Sequence, residues 1–210
     1  HNNRTFGVAG EGPVNADIVI IGEAPGDQEN RTGKPFIGYS GQLLTKILQD
    51  AGYSRADTYI TNMVKCWVGD GNPDPKQHEI DACAPWLDQQ LKLIKPKGVI
   101  TFGRFSTNKF IDFPNKGGIG KIQGHIRRGW WDSTHPTYIM PLYHPAYLAR
   151  SRDEIPNTME HLVKFRQLID ITVVDYPEEN QRFKVVYLFL SHEFNQRLVL
   201  SYFIGENEVI

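Results

Sequence analysis

The sequence predicts an α/β fold: a three-layer α/β/α sandwich around a central, mostly parallel four-stranded sheet, followed by a C-terminal β extension. Three observations predict it. Short apolar runs bounded by polar residues and glycine recur at 17–22, 58–64, 97–103 and 137–143, as buried strands do. Between them lie segments with apolar residues at helical spacing, and strands alternating with helices imply a parallel sheet covered on both faces. After Asp170 the character changes: "RFKVVYLFLSHEFNQRLVLSYFIGENEVI" reads as two or three strands with no helix to return them.

The elements follow in order. "DIVIIG" is the first strand. "SGQLLTKILQDAG" is a helix capped by Ser40 and closed by Gly52. "TYITNMV" is the second strand. Residues 75–94 form the next helix, because Pro75 suits a first turn and Ile80, Cys83, Leu87, Leu91 and Ile94 recur on one face. "KGVITFG" is the third strand and "RFSTNKFID" a short helix; "TYIMPLY" is the fourth strand and "NTMEHLVKFRQLID" a closing helix. Residues 1–170 are thus expected to be one domain, and 171–210 an added ribbon or the beginning of another.

The chain of 210 residues is 40% hydrophobic and 22% charged, ordinary for a soluble globular protein. No apolar run approaches the roughly 18 residues that cross a bilayer, and no signal peptide opens the chain, so a cytoplasmic monomer with no membrane partner is expected. The net charge of −1 argues against a broad cationic surface. A local patch survives that average: "KIQGHIRRGWW" interleaves basic and aromatic side chains, and reads equally as a β-hairpin with a solvated face. The two cysteines, Cys66 and Cys83, are too few for a disulfide framework and most simply read as buried thiols.

In open parallel sheets, ligands gather at the carboxyl ends of the strands. That rule brings together the loop from Glu23, the strand end at Asn62 and the segment "YHPAYLARSR". The first loop lacks phosphate-binding spacing, and its acids, Glu23, Asp27 and Glu29, would repel phosphate. Its glycines, with Phe36 arriving from the same loop, suit a flat neutral ligand such as a nucleobase; a plain loop with Phe36 in the core is the alternative. The Asn62 amide offers a donor and an acceptor side by side, matching the O4 and N3–H edge of uracil, though a lone asparagine also suits a turn. His144 can donate to a developing anion. Tyr147 and Leu148, followed by Arg150 and Arg152, fit an apolar wedge pushed into a duplex while arginines hold phosphates; a Pro-initiated helix with surface arginines is the alternative.

Taken together, "GEAPGDQENRTGKPFIGYSGQLL", "YITNMVKC", "EIDAC" and "YHPAYLAR" resemble the successive motifs of the family 4 uracil-DNA glycosylases, the iron–sulfur type, over roughly residues 4–169. The resemblance implies an enzyme that flips uracil out of DNA and hydrolyses its N-glycosidic bond, leaving an abasic site for base excision repair. It implies that Phe36 stacks on the base and that Asn62 reads its edge. Glu23 would position the attacking water, and His144 would stabilise charge on uracil O2. Gly22, Ala24, Pro25 and Gly26 would line the base, with the 23–26 loop rejecting the 5-methyl of thymine. Ala24 stands where the family 1 enzymes place a catalytic aspartate. Glu29 would brace the loop. Ser40, Tyr147, Leu148 and Arg150 would contact DNA.

The family holds a structural [4Fe–4S] cluster on four cysteines; Cys66 and Cys83 match the second pair, and the first Cys-x-x-Cys pair, expected ahead of Asn2, is either left out of this sequence or lost together with the cluster. A relative that bonds uracil-DNA covalently carries a K-R-R-I-H insertion; "VGDGNPDPKQHEI" has none, so turnover is expected. The tail loosely resembles the first strands of an exonuclease domain in phage-type DNA polymerases, without its Asp-x-Glu metal pair. That raises a second reading, a catalytically degenerate uracil- or DNA-binding module attached to a polymerase or sliding clamp. A third is a glycosylase of wider base range.

Overall fold

The computed structural model describes residues 4–111, 118–131 and 135–172, with two short strands beyond. The chain separates into two compact units, His1–Ile171 and Thr172–Ile210.

In the first unit, β1 (Ile18–Gly22), β2 (Thr58–Asn62), β3 (Gly98–Phe102), β4 (Arg127–Trp130) and β5 (Pro136–Leu142) form one sheet in the order β2-β1-β3-β5-β4. β1 pairs in parallel with β2 and β3, and β3 with β5; β4 alone runs antiparallel, along β5. The sheet therefore has five strands where the sequence suggested four. The fifth comes from the basic "RRGW" segment, whose exposed pattern carries no buried-strand signature. It stays polar because it is an edge strand, and charged edges resist further pairing.

Alternation along the central strands divides the core. Ile18 and Ile20 face one layer, with Ile60, Ile100, Phe102, Met140 and Leu142; Val19 and Ile21 face the other, with Val99 and Ile139. The first face is covered by α2 (Tyr39–Asp50), through Leu44 and Leu48, and by α6 (Ile155–Thr172), through Leu162 and Phe165. α3 (Gln77–Ile94) covers the second, through Leu87 and Leu91. Each such fully buried side chain contributes about 1.5–3 kcal/mol. α3 starts two residues after Pro75: Lys76 caps it, and the Glu79 carboxylate accepts the Lys76 N–H at 2.8 Å.

Three short helices complete the unit: α1 (Asp27–Thr32), α4 (Arg104–Asn108) and α5 (Pro145–Leu148). α1 and α5 follow β1 and β5 directly, so each begins at the carboxyl end of the sheet. α2 begins at Tyr39 with Gly38 as its cap, which makes Ser40 the second residue of the helix and not its cap. In the second unit, β6 (Lys184–Val185) and β7 (Tyr202–Phe203) pair antiparallel. The expected exonuclease-like segment around 189–193 lies outside the described residues. Among the described residues, no helix is long and apolar enough to cross a membrane.

Candidate functional site

A cavity of about 510 Å³ opens at the carboxyl ends of the strands. The β1 loop supplies Ala24, Pro25, Gly26 and Phe36; β2 supplies Asn62; the β5 loop supplies His144 and Arg150. Ser40 lines it from the first turn of α2. The rings of Phe36 and His144 lie 6.4 Å apart between centroids, tilted by 36°. One apolar ring, one amide and one imidazole thus share a single slot, drawn from three separate loops.

Phe36 is held in an unusual state. Its φ is 52°, left-handed and rare for a bulky residue, a placement costing of order 1–3 kcal/mol. Gly41, in the first turn of α2, permits it: a Cβ there would lie 2.2–2.6 Å from the Phe36 backbone. Glu29 braces the next residues. Its carboxylate accepts N–H groups from Gly26 at 3.0 Å, Ile37 at 2.8 Å and Gly38 at 2.7 Å. The loop that looked merely glycine-rich is thus tied together by one buried carboxylate.

Asn62 is buried at the end of β2. The Lys65 ammonium fixes that end, donating to the Asn62 carbonyl at 2.8 Å, Thr61 Oγ1 at 2.7 Å and Gln90 Oε1 at 2.8 Å. Burial lowers the Lys65 pKa to about 7.

His144 caps α5: its Nδ1 accepts the Ala146 N–H at 3.2 Å. Desolvation first, then the nearby Arg150 charge, bring its pKa down to about 4. The ring is therefore neutral near pH 7, and with Nδ1 accepting, its proton sits on Nε2, which remains free to donate.

Three expected residues fall elsewhere. Glu23 does not line the cavity. Its carboxylate turns towards the start of α4, accepting the Phe105 N–H at 3.0 Å and packing against Gly103. Burial raises the Glu23 pKa, opposed by the Phe105 N–H. Leu148 is 0% exposed and packs in the core. Tyr147, one residue earlier, is 37% exposed and stacks on Tyr143 at 4.4 Å. On a one-turn helix only one of two neighbours can face solvent. Gly22 stands behind Phe36 and Asn62 and does not line the cavity.

Tyr39 and Asn72 also line the cavity, and sequence reasoning misses both. Asn72 has a φ of 49°, and an asparagine flanked by Gly71 and Pro73 signals such a turn. Tyr39, 68% exposed, gives no signal beyond its place beside Ser40.

A larger hollow of about 880 Å³ holds Cys66 and Cys83, with Arg4, His78, Trp86 and Gln90 around them. Arg4 Nη1 lies 3.6 Å from Cys66 Sγ, and the Lys65 N–H donates to Cys83 Sγ at 3.3 Å. Two thiols facing one hollow are half the ligands of a [4Fe–4S] cluster. No set of three or more potential metal ligands gathers among the described residues. The residues present do not complete a cluster site, and no chemical step is assigned to one.

Residues 9–169 match the family model described as the uracil DNA glycosylase superfamily. The chain is 42% identical over 146 residues to the type-4 uracil-DNA glycosylase of Saccharolobus solfataricus, covering 68% of this chain and 67% of that one. To the type-4 enzyme of Archaeoglobus fulgidus it is 33% identical over 186 residues, covering 84% and 90%. The tail differs from the polymerase expectation. Residues 148–210 match the 30 kDa component of respiratory-chain NADH dehydrogenase. A stretch of 47 residues is 51% identical to one component of the NADH-quinone oxidoreductase of Ruegeria pomeroyi, covering 22% of this chain and 24% of that one.

Proposed function

Because the chain belongs to the uracil-DNA glycosylase superfamily, we propose that it hydrolyses the N-glycosidic bond of uracil in DNA, with the 510 Å³ cavity receiving one extruded base. The observation that carries this reading is the convergence of Phe36, Asn62 and His144 on that one cavity.

The target nucleotide leaves the stack first, at a cost of a few kcal/mol. Tyr147, exposed and backed by Tyr143, fills the gap it leaves. Arg150 and Ser40 hold flanking phosphates: Arg150 as a cation, Ser40 near the exposed N–H groups of the α2 terminus. In the cavity, Phe36 stacks on the ring. The Asn62 amide pairs with O4 and N3–H; cytosine presents the opposite pattern at both atoms and is refused. Rejection of the 5-methyl of thymine is assigned to the 23–26 loop, which lines the cavity through Ala24, Pro25 and Gly26.

The C1′–N1 bond breaks with its electron pair leaving on uracil, so negative charge gathers on O2 and the sugar becomes cationic. Neutral His144 donates from Nε2 to that oxygen. A fixed donor in a dry site needs little reorganisation, and such groups are worth about 3–4 kcal/mol of barrier. Water then adds to C1′ and gives up one proton, uracil takes up a proton, and free uracil and an abasic site result. Glu23 acts from behind the wall. It anchors the start of α4 through the Phe105 N–H and so supports the wall that carries Ala24 and Pro25.

The protein is proposed to act as a monomer. Cys66 and Cys83 are proposed as structural ligands of an iron–sulfur cluster only where two further thiolates join them. The proposed partner is DNA. The test is a uracil-containing oligonucleotide: free uracil and an alkali-labile site are expected. Binding of the oligonucleotide without base release would replace this reading with that of a binding module.

A further inference from the structure

Phe36 is one of three non-glycine residues with a left-handed backbone among the described residues, and it carries the ring that forms one wall of the cavity. Strain of this kind persists only where the surroundings over-determine it. Glu29 and Gly41 supply part of that constraint. The rest comes from Arg55, in the loop between α2 and β2, which does not reach the cavity.

The Arg55 guanidinium makes four contacts. Nη2 donates to the Pro35 carbonyl at 2.8 Å and pairs with the Glu11 carboxylate. Nη1 donates to the Phe36 carbonyl at 3.3 Å and to Thr45 Oγ1 at 3.1 Å. Glu11 is itself fixed, exchanging backbone hydrogen bonds with Ile60 of β2 at 2.9 and 2.8 Å. Thr45 is anchored on α2, its hydroxyl bonding the Gly41 carbonyl at 2.9 Å. Two carbonyls at and before the ring-bearing residue are thus held by a cation, and the two amides after it by the Glu29 anion.

We propose that Arg55 is a positioning residue for base removal, clamping the Phe36 turn so that the ring stands where an extruded base stacks. This rests on the reading of the cavity as the uracil site. The clamp needs arginine: a planar fork reaches acceptors on four residues at once, whereas a lysine ammonium carries three donors on one atom. Phe36 is the cavity residue that Arg55 touches, so the effect of Arg55 on turnover is expected to depend on the ring being there.

The experiment is a double-mutant cycle on a single-stranded uracil oligonucleotide, with thermal unfolding measured alongside. Arg55→Met is expected to lower kcat/KM about 10- to 100-fold, the scale of small misplacements near a reacting group. Arg55→Lys recovers only part of that loss. In a Phe36→Ala background, Arg55→Met costs less than about twofold, while its loss in Tm is the same in both backgrounds. An equal loss of kcat/KM in both backgrounds would overturn the proposal, as would full activity of folded Arg55→Met. Should Arg55→Met fail to fold, Glu11→Gln, which frees one end of the clamp, is expected to show the same dependence on Phe36 with a smaller factor. Ring resonances of Phe36 in labelled protein read the placement without turnover. If the wild type releases no uracil yet these resonances move in Arg55→Met, the functional reading fails and the clamp stands. If they do not move, the clamp fails whatever the activity.

Discussion

The ring of Phe36 and the amide of Asn62 converge on one point beside Gly22, where a side chain would otherwise be: a Cβ there would lie 2.3 Å from the ring and 2.4 Å from Asn62 Oδ1. The ring and the amide are therefore placed by the same missing methyl group. Gly22→Ala pushes both out of position. We expect kcat/KM to fall about 100-fold and stability to fall by about 1–3 kcal/mol, as overpacking does. Kinetics and urea unfolding of the variant check this; unchanged kinetics would mean that the slot tolerates a shifted ring.

Tyr147 and Leu148 are adjacent but act in different places. Leu148→Ala removes a core side chain and is expected to cost about 2–5 kcal/mol of stability. Tyr147→Ala should leave Tm nearly unchanged, lower kcat/KM on double-stranded uracil DNA about tenfold and spare single strands, which need less prying. An equal loss on both substrates would show that Tyr147 does not fill the vacated stack.

Glu23 holds a carboxylate that the fold disfavours. Its folded pKa is raised above 4.5, chiefly by burial, so the native state holds its proton more tightly than the unfolded chain. Ionisation at neutral pH costs stability, and that cost is relieved as pH falls through the folded pKa towards 4.5. Glu23→Gln keeps the acceptor for the Phe105 N–H and removes the charge. The variant should melt higher at neutral pH, gain less on acidification and turn over more slowly. A destabilising group retained beside a site fits a trade of stability for activity. Undiminished kcat would reduce Glu23 to a helix cap.

His144 has the opposite dependence. Its pKa is near 4 in the folded protein against an ordinary 6.5, so the unfolded chain takes up a proton first. Stability is full above pH 6.5 and drains away as pH falls towards 4, by up to about 3 kcal/mol. His144→Gln should flatten that acid slope while lowering kcat about 100-fold through loss of the donor to O2. Unfolding midpoints between pH 4 and 7, compared for both proteins, test it.

Much of the fold is legible in the sequence. β1, β2, β3 and β5 declare themselves as short apolar runs because both their faces are buried. Asn62 and His144 can be placed near one another because parallel topology sends strand ends to a common rim. β4 is half legible: the stretch around "RRGW" reads equally as a hairpin or a basic patch, and being mostly exposed it is decided only by its pairing with Pro136–Ile139. α1 is hidden by its brevity inside a glycine-rich loop. The direction of Glu23 depends on where α4 begins, over eighty residues away, and no local pattern records that. The choice between Tyr147 and Leu148 likewise depends on the layer beneath α5, which four residues cannot reveal.

The slot draws its ring from residue 36, its amide from residue 62 and its imidazole from residue 144, and β5 enters the sheet beside β3, between two strands made earlier than its own loop. During synthesis, a ribosome that has released only the first hundred residues has made two walls of the slot but not the group that would draw electrons from the base. With His144 as the proposed donor, a product cut short before the loop after β5 lacks that third wall, and with it the proposed means of releasing a base.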